Sequence, residues 1–361
     1  MLMNLIVLLS WLAIPVGLFA IVDDWFLRPR RQIAAAPQPV RDPALVTFAY
    51  RVLPILIGAA VLRLLVAERL DFSAVLLLIT VITGVIWWLD VLLFRKQREA
   101  AARAAGKEPT VVSEPGTVDY ARSFFPVALI VLLLRSFVFE PFRIPSDSMM
   151  PTLLDGDFII VNKFAYGLRL PVLNTKFLSI GEPERGDVVV FRYPRDPSIN
   201  YIKRLVGLPG DKVVVKDDRI YINGEAVPFE NIRPYDDGCY VGMSQATEHL
   251  GKHTHQAMFC PTALDMEPSP LPGCNRKEIR GYRCGGRTYQ GMFGETPPSV
   301  KVVPPGMYLM IGDNRDNSED GRVWGFVPEN HLVGKATRIW FNWDLQRSGG
   351  PIWSRIGTRI E

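Results

Sequence analysis

The sequence predicts a membrane-anchored all-β protein, in which N-terminal transmembrane helices precede an extracytoplasmic, mostly antiparallel β-sheet domain carrying a disulfide-stapled insertion. Three observations predict it. The long uncharged apolar runs fall in the first 140 of 361 residues. Beyond Pro141 the pattern changes to short β-rich runs separated by Gly and Pro. All four cysteines, Cys239, Cys260, Cys274 and Cys284, lie in that second part. Its roughly 220 residues are ample for a core.

The first run, residues 2–22, carries no charge and is long enough to cross a bilayer. It lacks a basic leader, and "AIVDDW" is a poor cleavage site, so a retained helix fits better than a removed signal. The second run, 52–70, is weakened by Arg63, and a helix lying on the membrane surface remains open for it. The third, 72–94, is interrupted only by Asp90, and the fourth, 124–139, contains Arg135, which can snorkel or pair. Residues 1–139 thus form a membrane region with four spans. The loops 23–51 and 95–123 hold most of the neighbouring arginines and lysines, which predicts a cytoplasmic location for both. The N-terminus and residues 140–361 then lie outside. Four cysteines confined to that side suit an oxidising compartment. Three full pairings are open, and proximity alone nominates Cys274 with Cys284. No close C-x-x-C pair supports zinc. A net charge of +4 is too small to imply nucleic-acid binding.

Within the outer part, "DFIIVNKFAY", "DVVVFRY", "YIKRLVG", "DKVVVKDDRIYING", "MYLMIGD" and "KATRIWFNW" read as strands. An inserted subdomain spans about 213–299. Its stretch from Gly238 to Pro298 is rich in Cys, Gly, Pro and His and reads as largely irregular, with His249, His253 and His255 in a solvated loop. Trp340, Phe341, Trp343 and Trp353 suit either a headgroup-depth surface or the core.

Three stretches can carry chemistry. "RIPSDSMMPTLLDGD" places Ser146 and Ser148 just beyond the last span, within about 30 Å of Phe139 along an extended chain. Serines beside prolines are ordinarily turn residues. "NYIKRLVGLPGD" places Lys203 on a strand, with Tyr201 and Leu205 on its face and Ile202, Arg204 and Val206 on the other. If that face is buried, lost solvation pushes the lysine towards neutrality. On an exposed strand it would do nothing of the kind. "GDNRDNSEDGRVWGFVP" has the density of Asp, Asn, Ser and Gly of a turn that bonds its own backbone, and it misses the spacing of an EF-hand.

Together, and in this order, these stretches with "RGDVVVFRYP" resemble the bacterial type I signal (leader) peptidases, membrane-bound serine proteases with a Ser/Lys dyad. The likeness covers most of the chain after Phe139 except the insertion. It implies Ser148 as nucleophile, Lys203 as general base, and an oxyanion hole from Ser146 and the Ser148 N–H. It also implies Ser318 as a hydrogen-bond partner that orients Lys203, with Asp320 and Arg322 holding the turn. Phe142, Ile144, Pro145, Leu153, Tyr201 and Ile202 would shape shallow substrate subsites that admit small residues. Asp147 stands where many relatives have glycine, which reads as tolerated variation. Many relatives also have two spans rather than four. The resemblance further implies no metal or organic cofactor, and partners limited to secretory preproteins and the bilayer of the bacterial inner membrane. It suggests a monomer working near the protein translocation machinery. A non-enzymatic scaffold with a degenerate domain would lack the serine or the lysine, and both are present. A soluble self-cleaving Ser/Lys protease would not need four apolar runs.

Overall fold

The computed structural model describes residues 2–36, 38, 40–66, 72–171, 173–216, 219–235, 239–261, 265–269, 281–285, 300–343 and 350–361. The chain divides into two compact units, one ending at Arg135 and the other starting at Ser136.

The first unit is helical: α1 (Leu2–Val22), α2 (Ala44–Val66), α3 (Phe72–Leu89) and α4 (Gly116–Leu133). α1 packs on α2, and α3 packs on α4. Among the described residues, four helical stretches are long and apolar enough to cross a membrane. α2 starts eight residues before the expected 52, and residues 67–70 lie outside the described residues. α4 starts at Gly116 rather than 124, because its first turn is capped from elsewhere: Asp24 Oδ2 accepts from the Thr117 N–H at 2.7 Å and its hydroxyl at 2.8 Å. Phe139, expected to end the last span, begins a strand. Two spans leave through the same device. A wide helical turn opens on an aspartate, and an arginine eight residues on grips it with both guanidinium nitrogens, Asp23 by Arg31 at 2.7 and 2.9 Å and Asp90 by Arg98 at 2.5 and 3.0 Å. Arg63 finds partners too, donating to Ser10 Oγ at 2.9 Å and lying 5.3 Å from the Trp11 ring centre.

The second unit is built on a seven-stranded sheet of β1 (Phe139–Arg143), β2 (Asp157–Asn162), β3 (Val188–Tyr193), β4 (Asp196–Gly207), β5 (Met307–Ile311), β6 (Val327–Pro328) and β7 (Leu332–Asn342). Its order is β1-β2-β7-β3-β4-β5-β6, and every pair is antiparallel. Period-two alternation divides β3 between two cores. Val188 and Val190 join Ile144, Ile159, Val161, Ile202 and Ile339, whereas Val189 and Phe191 join Leu205, Met310, Trp324 and Leu332. A strand buried on both sides reads as the unbroken run "VVVF". Pro141 sits in β1 at the sheet edge, where a missing N–H costs no ladder bond. The aromatics near the C-terminus are not core: Trp340, Trp343 and Trp353 are exposed, and Phe341 is half-buried.

The described residues of the inserted region are more ordered than its composition suggests. They form a hairpin of Ser244–Leu250 and His253–Phe259, flanked by Phe229–Pro234. A second small sheet joins Tyr240–Val241, Gly281–Gly285 and Asp265–Ser269. Lys212–Lys216, Arg219–Ile222, Glu225–Ala226 and Lys301–Val302 make a third, which frames the root of the insertion.

Candidate active site

The Ser148 turn hangs between β1 and β2. The backbone continues the pairing one step beyond β1, with the Ile144 N–H on the Asp157 carbonyl at 2.8 Å and the Gly156 N–H on the Ile144 carbonyl at 2.9 Å. The residues between them close into two tight turns, Met150 N–H to Asp147 O at 3.1 Å and Leu153 N–H to Met149 O at 2.9 Å. Met149 and Leu153 are fully buried with Ile144 and Ile202, which anchors the turn from below. Ser148 is buried and Ser146 is exposed, and their hydroxyls lie 3.3 Å apart.

Lys203 comes from β4, paired with Val189 of β3. The exposed-strand alternative does not hold, since Lys203 is only 4% exposed. Its Nζ lies 2.6 Å from Ser148 Oγ and 5.6 Å from the centre of the Tyr201 ring. Burial lowers its pKa from 10.5 to about 8, because an ammonium held away from water loses hydration. Asp320 and Asp313 pull the other way, and Arg322 assists the fall.

The third stretch forms the wall behind this pair. Gly312 follows β5, and its bare Cα is needed: a Cβ there would stand 2.2 Å from Ser318 Oγ and 2.5 Å from the Ser148 carbonyl oxygen. The Asn314 N–H donates to that same carbonyl at 3.2 Å, and Asn314 Nδ2 donates to the Asp147 carbonyl at 3.1 Å. Asp313 is gripped by Arg204 Nε and Nη2 at 2.8 and 2.7 Å and by the Thr152 hydroxyl at 2.5 Å. Asp320 caps the short helix Gly321–Trp324, accepts from the Gly312 N–H at 2.9 Å, and is held by Arg322 Nε and Nη2 at 2.9 Å each. Arg322 also reaches the Arg315 carbonyl. Burial raises both carboxyls, but the guanidiniums beside them prevail and hold Asp313 and Asp320 below the ordinary range. Carboxylates so engaged suit a fixed turn rather than a calcium loop. Ser318 is buried beside Gly312, but the hydrogen bond expected from it to Lys203 is not made, and its Oγ has no hydrogen-bond partner among the described residues.

Phe142, Ile144, Leu153 and Ile202 fall in one apolar cluster below the serine turn, with Pro145 exposed above it. Tyr201 belongs to the other cluster and stacks on Tyr193 at 4.5 Å.

The histidines of the insertion are strand residues rather than parts of a loop. His255 is buried, with Nε2 3.1 Å from Glu248, whose other partner is Arg315 Nη2 at 2.5 Å. Nothing in "EHLGKHTHQ" marks Glu248 and His255 as interior, since Arg315, which meets Glu248, and Asp313, 3.6 Å from His255, lie some 60 residues on. His253 lies with Glu184 and Asp187, and Asp187 already accepts from Tyr166, the Glu184 N–H and Lys335. Cys284 pairs with Cys260, not with Cys274 as chain proximity suggested, and Cys239 is disulfide-bonded as well. Cys274 itself lies outside the described residues. The Cys260 N–H donates to Asp316 at 2.6 Å, so the cystine abuts the wall turn.

The family model "Signal peptidase, peptidase S26" matches residues 117–341. The chain belongs to that family. It is 42% identical to signal peptidase I of Pseudomonas aeruginosa over 80% of its own length and 99% of the relative's. The Pseudomonas fluorescens enzyme is 40% identical over 80% and 98% of the two chains, and that of Buchnera aphidicola from Schizaphis graminum 34% over 78% and 95%. The matched span of this S26 peptidase covers both the Ser148 turn and Lys203. With its four long apolar helices, it is a serine-type, multi-pass inner-membrane peptidase with a large extracytoplasmic β domain.

Proposed function

We propose that this peptidase removes N-terminal signal peptides from secretory preproteins by an acyl-enzyme mechanism, with Ser148 as nucleophile and Lys203 as general base. The observation that carries the reading is a buried lysine 2.6 Å from a serine hydroxyl, with a pKa brought to about 8. Neutral Lys203 Nζ takes the Ser148 proton as Oγ attacks the carbonyl carbon of the residue before the cleavage point. The Ser148 N–H and Ser146 hydroxyl stabilise the oxyanion as it forms. Collapse of the tetrahedral species breaks the C–N bond, and the Lys203 ammonium returns its proton to the departing amine. Water, deprotonated by the same lysine, then attacks the ester carbonyl; the bond from that carbon to Ser148 Oγ breaks, Lys203 returns the proton to Oγ, and the signal peptide leaves with a new carboxylate.

Substrate choice follows from what lies under the turn. Ile144, Leu153 and Ile202 are already packed, so side chains at the −1 and −3 positions must be small or meet overpacking. That is the Ala-X-Ala pattern. Cleavage of a preprotein by the full chain in detergent tests the assignment. Ser148→Ala should abolish it, and persisting cleavage would overturn the reading. Loops 23–51 and 95–123 face the cytoplasm in this reading, so reporter fusions after Arg31 and Arg103 should signal cytoplasm and one after Arg69 the outside.

A further inference from the structure

We propose that Tyr240 of the cystine-stapled insertion is a positioning residue for the Ser148 turn, acting through Asp147. This rests on Ser148 being the nucleophile.

Asp147 stands between the two serines and is buried, a costly place for a carboxylate without a partner. The Tyr240 hydroxyl donates to its Oδ2 at 2.6 Å, and Tyr240 is itself 3% exposed. That length is typical of a bond to an ionised acceptor. The contact spans 93 residues of chain and is made by a strand of only two residues, Tyr240–Val241. Such a strand does not hold its place alone. It is paired in parallel with Gly281–Gly285, which carries Cys284. Cys284 is bonded to Cys260, whose N–H reaches Asp316 of the wall turn, and Asn314 of that turn holds the carbonyls of both Asp147 and Ser148. The path therefore closes on itself, from nucleophile turn to insertion to wall and back. Packing reinforces it, since Met150, two residues past Ser148, shares one buried cluster with Tyr240, Met243, Met258, Cys239 and Cys260.

The Tyr240 hydroxyl is one of the contacts that hold the Asp147 carboxylate, and with it the turn, in place. Without the hydroxyl, the carboxylate is held less firmly, and so is the backbone that presents Ser148 Oγ and the Ser148 N–H. Loss of the hydroxyl is thus expected to lower kcat more than to raise KM. Breaking the Cys260–Cys284 bond should act in the same direction by loosening the strand that bears Tyr240.

The test is a cycle of Tyr240→Phe and Asp147→Gly in the full chain in detergent, with preprotein cleavage and thermal midpoint both read. In the presence of Asp147, Tyr240→Phe should lower kcat about tenfold to a hundredfold, the range for an ionic hydrogen bond, with KM within about twofold. In the Asp147→Gly background, which has no carboxylate to hold, the same change should cost less than about twofold. Equal losses in both backgrounds, or no kcat loss beside Asp147, would overturn the inference while Ser148→Ala stays inactive. An active Ser148→Ala would instead overturn the nucleophile assignment on which it rests. If Tyr240→Phe does not accumulate in membranes, Cys284→Ser, which frees the strand paired with Tyr240–Val241, takes its place, and an unchanged kcat there is equally fatal.

Discussion

Lys203→Met should make the protein more stable at neutral pH while removing its activity. The folded state lowers the Lys203 pKa from 10.5 to about 8, mainly by withholding water. Between those values the unfolded chain binds the proton and the folded one releases it, so stability rises with pH across the window. The destabilisation is thus fully present below pH 8 and gone above about 10.5. At roughly 1.36 kcal/mol per unit it amounts to about 3 kcal/mol. Methionine keeps the length of the side chain and has no charge to desolvate. It forfeits the 2.6 Å bond to Ser148, worth about 1 kcal/mol net. Ser148 Oγ retains Ser146 Oγ at 3.3 Å. The balance favours Lys203→Met by about 2 kcal/mol, or roughly 4–8 °C for a unit of this size. Thermal unfolding of both proteins in the same detergent, at pH 7 and pH 10, reads the difference. It should be largest at pH 7 and shrink as the wild-type lysine becomes neutral in both states. A variant no more stable at pH 7, or a gap that ignores pH, would show that Lys203 is not held against its solvation.

Two further outcomes follow from the same site. Cleavage should rise with pH through about 8, where the neutral fraction climbs from about a tenth at pH 7; Lys203→Arg should be inactive throughout, since guanidinium does not deprotonate, and a flat profile or an active arginine variant would refute the base assignment. Gly312→Ala should slow cleavage and destabilise by about 1–3 kcal/mol, because the new methyl group would stand 2.5 Å from the Ser148 carbonyl and force the two walls apart; wild-type kinetics would refute that account.

What the sequence made legible was what local pattern carries. Lys203 could be placed beside Tyr201 and Leu205 because strand alternation is set by neighbours in the chain, and both lie in one core. The serine turn was marked by Pro145 and Pro151, residues whose backbone limits are their own. The features missed depend on partners far away. Glu248 and His255 look like surface residues, and the groups that face them, Arg315 on Glu248 and Asp313 near His255, lie some 60 residues on. α4 begins in the polar stretch "GTVDYARS" because Asp24, 93 residues earlier, caps Thr117. Asp147 passed for tolerated variation because its hydroxyl partner, Tyr240, lies in a region with a loop-like composition. The expected bond from Ser318 to Lys203 came from family likeness, and the side chain instead lies against Gly312.

The two adjacent cations of β4 have a consequence for how the chain finds its register. Lys203 and Arg204 point to opposite faces, one to Ser148 and the other to the buried carboxylate of Asp313. A strand that slipped by a single residue would put one of them in the other's place and leave an apolar neighbour at the second site. Slipped one way, it would offer the serine Arg204, a cation that never gives up its proton, and Asp313 only Leu205; slipped the other way, it would set Asp313 against Lys203, whose amine cannot match the two-pronged grip. Asp313 is 0% exposed, so the mispaired strand would carry a poorly matched buried charge. The ladder between β4 and β5 contains an irregularity at Leu309 and Met310. Arg204 therefore proofreads the strand: the misregistered sheet is penalised before it can pass as a folded but inert enzyme.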